Sequence, residues 1–250
     1  SPDGKFIALS IDLNGNLDIG IISAEGGTPK RLTTHRQVDV QPAWTPDSQA
    51  LFFTTARHGN LDIYRLDLTN YSETPVIVAP GHQIHPAVSP DGNRLAYISP
   101  VPGRLGPGGI WVKELASGNN QLSHYEETNY RSQPSWTPDG QSLIYVSDAA
   151  GSNDLTIVPS LGGRTVRLTF DPMDEFAPSV SLQGSIAFVS NRNGPTELLT
   201  LPTSGGSLVA WNQVSIVSRK PLFPTGHLQV RIVDSRGRTT PSRVQLVASD

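Results

Sequence analysis

Six titratable side chains lie in or just before short X-Pro segments and are the residues best suited to binding chemistry: Asp39, His82, His85, Arg131, Asp174 and Glu175. When the segments are aligned on their Pro, one column, three residues before the Pro, contains Asp39, Gln83, Arg131 and Glu175. Such groups could converge to bind a small ligand, a metal ion or a peptide terminus. Because the column holds no set of like ligands, we expect no metal. The alternative is a solvated rim whose side chains are satisfied by water and backbone.

A second set of carboxylates recurs at another fixed place in the same units: Asp18, Asp62, Asp154 and Glu197. We expect each of them to accept backbone N–H groups within its own hairpin, which is a structural role. The chain contains no G-x-S-x-G, H-E-x-x-H or D-x-D-x-D-G motif, and these motifs would indicate hydrolase, zinc or calcium chemistry. We therefore expect no intrinsic enzyme activity, no catalytic residues and no cofactor.

One turn recurs five times and positions these residues. It reads SPDGK at 1, TPDSQ at 45, SPDGN at 89, TPDGQ at 137 and, in decayed form, SLQGS at 181. Its Pro and Asp suit a type I turn, and its Gly tolerates positive φ. The spacings of 44, 44, 48 and 44 residues are typical of four-stranded propeller blades.

Short apolar segments surround each turn in the same order. A Pro followed by an apolar residue comes before the internal turns, as in QPAW and HPAV, and two apolar strands and a short fourth strand follow. We expect an all-β fold, a β-propeller of about five four-stranded blades that forms part of a larger ring. The first blade lacks its innermost strand. The alternative is a two-sheet sandwich with coincidental spacing.

Composition argues against several classes of protein. The formal net charge of −3 at pH 7 does not suit a nucleic-acid-binding surface. No apolar stretch approaches the roughly 20 residues that a membrane-spanning helix needs, so no membrane span is expected. The absence of cysteine removes disulfides and thiolate chemistry.

The repeat stops after Trp211, where the charge balance also changes. Residues 212–250 contain six Arg/Lys and two Asp/Glu. Apolar and polar residues alternate over 228–234 and 243–249 and predict a β-hairpin. We expect propeller blades over 1–211, followed by a linker and the start of a sandwich-like second β domain. The alternative is a C-terminal strand that closes the propeller ring.

The pattern SPDGK…RLT…QPAWTPD resembles the propeller repeats of the Tol translocation protein TolB and its relatives. Similar repeats form the propellers in front of prolyl-oligopeptidase-type peptidases and of some amidohydrolase-like metal-dependent hydrolases. The last 21 residues of the chain resemble the small β segment that links such a propeller to a metal-dependent hydrolase domain. The resemblance implies a propeller fold and an extracytoplasmic (periplasmic or secreted) location, with any catalytic residues beyond Asp250.

Two functions follow from this resemblance, and a third follows from the residues. The leading hypothesis is a non-catalytic scaffold or recognition propeller of a larger extracytoplasmic hydrolase, which gates substrate or binds a partner at the channel mouth. The partner would be a protein, a peptide or the adjacent catalytic domain. The second is a stand-alone TolB-like protein-interaction propeller of the cell envelope. The third, which rests on the residues themselves, is a propeller enzyme that acts at the channel mouth with Glu175, Arg131 and the pair His82 and His85.

Overall fold

The structure is a computed structural model that describes residues 1–12, 15–104, 108–126, 133–170 and 172–203, and the backbone of 212–213. These ranges form strands and no helix, so the described residues include no helix that could cross a membrane. The chain is divided into five antiparallel sheets, and in each sheet consecutive strands are hydrogen-bonded neighbours.

The first sheet has three strands and each of the others has four. The first sheet contains β1 (Phe6–Asp12), β2 (Leu17–Ser23) and β3 (Lys30–Arg31). The second contains β4 (Asp39–Trp44), β5 (Ala50–Thr55), β6 (Asp62–Asp67) and β7 (Glu73–Ile77). The third contains β8 (Ile84–Val88), β9 (Arg94–Ser99), β10 (Gly109–Glu114) and β11 (Asn120–Tyr125). The fourth contains β12 (Ser135–Trp136), β13 (Ser142–Ser147), β14 (Asp154–Pro159) and β15 (Val166–Arg167). The fifth contains β16 (Glu175–Val180), β17 (Ser185–Ser190), β18 (Glu197–Pro202) and β19 (Asn212–Gln213).

These five sheets are the blades of a β-propeller and are numbered here in chain order, which confirms the predicted fold. The innermost strands are β4, β8, β12 and β16, and blade 1 starts at the second strand of the repeat. The predicted C-terminal hairpin over 228–234 and 243–249 lies outside the described residues, and so does most of the 212–250 segment.

The repeated turn is held together by its own side chains. In blade 2 the carboxylate Oδ1 of Asp47 accepts a 2.6 Å hydrogen bond from Thr45 Oγ1 and a 3.0 Å bond from the backbone N–H of Gln49. The fourth residue of the turn takes positive φ, for example 74° at Gly92 and 65° at Gly140. The turn carboxylates are therefore structural, as their recurrence predicts.

Blades 2, 3 and 4 each pack their two faces against both neighbouring blades, as alternation along a strand requires, and blades 1 and 5 pack against blades 2 and 4 respectively. In β5, Leu51 and Phe53 lie in the cluster shared with blade 1. Phe52, between them, packs against Leu95 and Tyr97 of blade 3. Burying one such side chain stabilises the fold by about 1.5–3 kcal/mol. The stacked blades thus form a rigid wall around a central channel.

Candidate functional site: the central channel

The innermost strands and the turns that follow them surround a cavity of about 940 Å³. Its described lining consists of small, proline and aromatic residues: Ser1, Pro2, Pro42, Ala43, Trp44, Pro46, Ala87, Val88, Ser89, Pro90, Gln133, Pro134, Ser135, Trp136, Ala177, Pro178, Ser179, Val180, Ser181 and Leu182. No Asp, Glu, Lys or Arg side chain is among these residues. The cavity therefore suits an uncharged or apolar group better than an ion.

Four turns contribute an apolar side chain to the rim of this cavity. Pro2, Pro46, Pro90 and Leu182 each occupy the second position of the turn. Leu182 is 74% exposed, although it stands where the other turns have proline. We call these four residues the apolar rim. Exposed and half-buried apolar groups beside an opening are typical of a surface that a partner covers.

A bulge interrupts the innermost strands of blades 2, 3 and 5 just before their proline. Gln41, His85 and Ala177 have φ of 57°, 57° and 50°, and the strand register shifts at each of these places. Positive φ is uncommon for residues with a side chain. A conformation of this kind persists only where the surroundings enforce it.

Hydrogen bonds between neighbouring blades hold these bulges in place. The Oε1 atom of Gln41 accepts 2.9 Å bonds from the backbone N–H of His85 in blade 3 and from Thr54 Oγ1 in its own blade. Farther round the channel, the backbone N–H of Val180 donates to Ser135 Oγ at 3.0 Å. The wall of the channel is therefore joined across blades and preorganised for binding.

His85 is next to this network and is half-buried. Its Nε2 lies 3.4 Å from Gln41 Nε2. Burial lowers the pKa of His85 from 6.5 to about 4, because the charged imidazolium would lose hydration. The ring is therefore neutral at pH 7.

Asp39 is fully buried at the boundary between blades. Its Oδ2 accepts a 2.9 Å bond from Arg57 Nη2, and the same guanidinium forms an ion pair with Glu73. The guanidinium also lies 5.1 Å from the centre of the Tyr64 ring. Hydrogen bonds to Glu73 and Asp39 outweigh the effect of burial and raise the pKa of Arg57. Asp39 therefore holds strands together.

Glu175 has a similar environment between blades 4 and 5. Its two oxygens accept bonds from Thr169 Oγ1 at 2.8 Å and from Ser190 Oγ at 3.3 Å, and the side chain is fully buried. The adjacent Asp174 accepts bonds on Oδ1 from the backbone and side chain of Asn153, at 3.0 and 2.7 Å. These carboxylates tie blade 4 to blade 5.

The two predicted acidic columns meet each other at these boundaries, which was not foreseen. Thr169 Oγ1 lies 3.4 Å from Asp154 Oδ1 and also contacts Glu175. At the boundary of blades 1 and 2, the corresponding carboxylates are Asp18 and Asp39. The RLT motif carries the signal, because its Thr is six residues before Asp39 in one copy and six before Glu175 in the other.

Asp18 illustrates the electrostatics of such a boundary. It forms an ion pair with Arg31, and Thr33 Oγ1 accepts a 2.9 Å bond from the neighbouring backbone N–H of Ile19. Burial raises the pKa of Asp18, and the Arg31 guanidinium opposes that effect. In blade 4, Arg167 and Asp154 form the matching pair at 3.3 Å.

The remaining predicted residues are in different places. His82 is exposed, and its Nδ1 accepts a 3.1 Å bond from the backbone N–H of Leu61. Arg131 lies outside the described residues. Of the predicted site residues that are described, none lines the cavity, and no cluster of three or more metal-ligating side chains occurs in the described ranges. Their role in binding a partner stays a prediction.

Comparison with protein families gives one match over most of the chain. The profile described as "TolB beta propeller domain" matches residues 1–99 and 71–228. Several curated proteins are similar in sequence, and three of them are described here. An uncharacterized protein of Agrobacterium fabrum is 30% identical over 149 residues, 59% of this chain and 49% of that protein. The Tol-Pal system protein TolB of Bordetella pertussis is 28% identical over 145 residues, 58% of this chain and 32% of that protein. The uncharacterized peptidase YuxL of Bacillus subtilis is 30% identical over 117 residues, 45% of this chain and 18% of that protein.

Solved structures share the fold. TolB from Acinetobacter baumannii superposes with a TM-score of 0.73 at 21% identity, over 86% of this chain and 54% of that one. A putative TolB from Agrobacterium tumefaciens gives a TM-score of 0.70 at 19% identity, over 85% and 77%. The chain spans about half or less of the length of the curated relatives it matches.

Proposed function

Because this chain belongs to the TolB beta-propeller family, we propose that it is a non-catalytic recognition propeller that binds a protein or peptide partner at the turn-side mouth of its channel. The apolar rim carries the proposal, above all the 74% exposed Leu182. A membership of this kind does not fix the partner, since one fold hosts many functions.

The chemistry of the channel favours an uncharged segment of polypeptide. Proline rings and the indoles of Trp44 and Trp136 line the cavity, and such surfaces pack against apolar side chains with little loss of conformational freedom. The inter-blade hydrogen bonds of Gln41 and Ser135 keep the wall rigid. A rigid site loses less entropy on binding.

A selection experiment tests this proposal. Peptides are selected from a displayed random library on the immobilised chain, and their affinity is measured by calorimetry. Leu182→Ser should weaken binding about tenfold, because truncating the main apolar contact of the rim should cost about 1.4 kcal/mol. The matched control is Leu161→Ser, since Leu161 is 60% exposed and not part of the cavity. Equal affinity of both variants, or failure to select any channel binder, would contradict the proposal.

The location of the protein forms part of the same proposal. A relative named as a Tol-Pal system protein supports an extracytoplasmic location and an interaction role. Fusion of the full-length coding sequence to a reporter that folds only outside the cytoplasm tests the location. A reporter that stays inactive there would contradict it.

A larger hydrolase is the second candidate, because one relative is named as a peptidase and matches over only 18% of its length. In that case the channel would orient or admit the substrate of a separate catalytic domain. The binding role predicted for His82, His85, Arg131 and Asp174 at a channel mouth belongs to this candidate. The coding sequence around these 250 residues distinguishes the two: a neighbouring hydrolase domain favours this candidate, and its absence favours the first.

A further inference from the structure

An arginine fills the cleft between blades 3 and 4 at the turn side of the propeller. The guanidinium of Arg94, at the start of β9, lies 4.9 Å from the centre of the Trp136 ring. It donates to the carbonyl oxygen of Gly140 at 2.7 Å and to Ser160 Oγ at 3.1 Å. The cleft is thus built around one planar cation that contacts a ring, a carbonyl and a hydroxyl.

The matching position in blade 2 is Ala50, at the start of β5. Ala50 and Arg94 both come five residues after the first residue of their turns, and they pair with Asp67 and Glu114 at matching places in the ladders. The side chain that would fill the cleft between blades 2 and 3 is therefore reduced to a methyl group.

A separate cavity of about 630 Å³ lies at this second cleft; Ala50 is fully buried and neighbouring residues line the cavity. Its lining includes Gly92, the counterpart of Gly140, and Leu115, the counterpart of Ser160. A Cβ at Gly140 would meet Arg94 Nη2 at 2.9 Å, whereas a Cβ at Gly92 would meet only Pro46, at 3.6 Å or more. Among the described hydrogen bonds, none is accepted by the Gly92 carbonyl.

Two carboxylates at the rim of this cleft can accept hydrogen bonds from a guanidinium. Asp47 and Asp91 both line it, and hydrogen bonds from Thr45 and Ser89 respectively lower the pKa of these carboxyl groups. Both are therefore ionised at neutral pH. Two cations, Arg65 and Lys113, also line the cavity, and the charge of Arg65 acts on Asp47.

The first of these cations is Arg65, which forms an ion pair with Asp67 at 3.2 Å. The second is Lys113, whose Nζ points to the carbonyl oxygen of Gly118 at 3.4 Å. The floor of the cleft is apolar and includes Phe52 and Val76, which suits the methylene stem of a long side chain.

We propose that the cleft between blades 2 and 3 binds an arginine side chain of a partner polypeptide, in the position that Arg94 occupies between blades 3 and 4. The guanidinium contacts the Gly92 carbonyl and the carboxylates of Asp47 and Asp91, and its stem covers the apolar floor. Pro46 lines both this cleft and the central channel, so one partner can reach both. Binding of an arginine at this cleft does not require that the central channel binds a partner.

The test uses the full chain labelled with ¹⁵N and two capped amino acids as probes. Nα-acetyl-arginine N-methylamide should shift the amide resonance of Gly92 saturably, with a Kd on the order of millimolar for so small a ligand. The citrulline analogue has the same shape and no charge, and it should produce no saturable shift. Equal shifts with both probes, or none with arginine, would overturn the proposal.

Three variants sharpen the result. Asp47→Asn keeps the oxygen that accepts the hydrogen bonds of the turn. It should raise the Kd of the arginine probe about fivefold, which corresponds to the roughly 1 kcal/mol of one exposed ion pair. Asp3→Asn changes the same turn position in blade 1, away from the cleft, and should leave the Kd unchanged. Ala50→Arg should fold, as judged by circular dichroism, and should abolish binding by filling the cleft. Binding that survives in folded Ala50→Arg contradicts the proposal.

Two further probes distinguish other occupants. Nα-acetyl-aspartate N-methylamide should not compete, and saturable binding of this anion at Gly92 would assign the cleft to a carboxylate instead. Free L-arginine should bind no more tightly than the capped form. Tighter binding of the free amino acid would overturn the assignment to a polypeptide.

Discussion

The neutral imidazole of His85 should make the propeller lose stability in mild acid. The folded-state pKa is about 4, below the ordinary 6.5, so the unfolded chain binds more protons between these values. The contribution of His85 to the free energy of unfolding is complete above pH 6.5. It falls as the pH drops through the window from 6.5 to about 4.

The size of the effect follows from the two pKa values. Their difference corresponds to about 3 kcal/mol once the pH is below 4, at about 1.4 kcal/mol per pKa unit. At pH 5 about 2 kcal/mol of this should already be lost. Carboxyl groups with ordinary pKa values remain mostly ionised at pH 5. A loss of stability at this pH can therefore be assigned to the histidine, because protonation of such carboxylates destabilises the fold only at lower pH.

His85→Gln is the matched variant, because Gln41 has the same place in blade 2 and the same φ of 57°. Urea unfolding is followed by the fluorescence of the four tryptophans at pH 7 and pH 5. The wild type should lose about 2 kcal/mol more than His85→Gln between these pH values. Equal losses in the two proteins would refute the reasoning, and comparable unfolding slopes at pH 7 establish that the variant is folded.

Two further predictions concern the boundaries between blades. Arg57→Ala should lower the free energy of unfolding by about 3–5 kcal/mol, because it leaves Asp39 buried without its ionic partner, and Arg57→Lys should recover part of the loss in the same urea assay. Thr169→Val removes a hydroxyl that donates to Glu175 at 2.8 Å and accepts from the backbone of Leu155 at 2.9 Å. We expect a loss of about 1–3 kcal/mol, and a loss below 0.5 kcal/mol would contradict the structural role of the RLT motif.

The architecture could be predicted from the sequence because it depends on local chemistry that repeats. A turn such as Thr45-Pro46-Asp47 forms from its own side chains, and five copies in register predict five sheets. The directions of the side chains near the bulge could not be predicted from the sequence. Asp39 is the first residue of the innermost strand β4, and its burial against Arg57 depends on a contact between separate parts of blade 2.

The two clefts illustrate the same limit. Ala50 and Arg94 occupy equivalent positions of the repeat, and only the contacts of Arg94 with Trp136 and Gly140 reveal what the alanine leaves open. The apolar rim was missed for a related reason. Leu182 looks like decay of the turn in the sequence, and its 74% exposure beside the channel becomes apparent in the structure.

The most direct test of the channel as a recognition site uses the absence of cysteine from the chain. Leu182→Cys and Leu161→Cys each provide a single thiol for an environment-sensitive fluorophore. On titration with a peptide selected on the wild-type chain, the emission at position 182 should shift to shorter wavelength and saturate, while that at 161 should stay constant. A constant emission at 182, or an equal shift at both positions, would contradict the claim that this propeller binds its partner at the turn-side mouth.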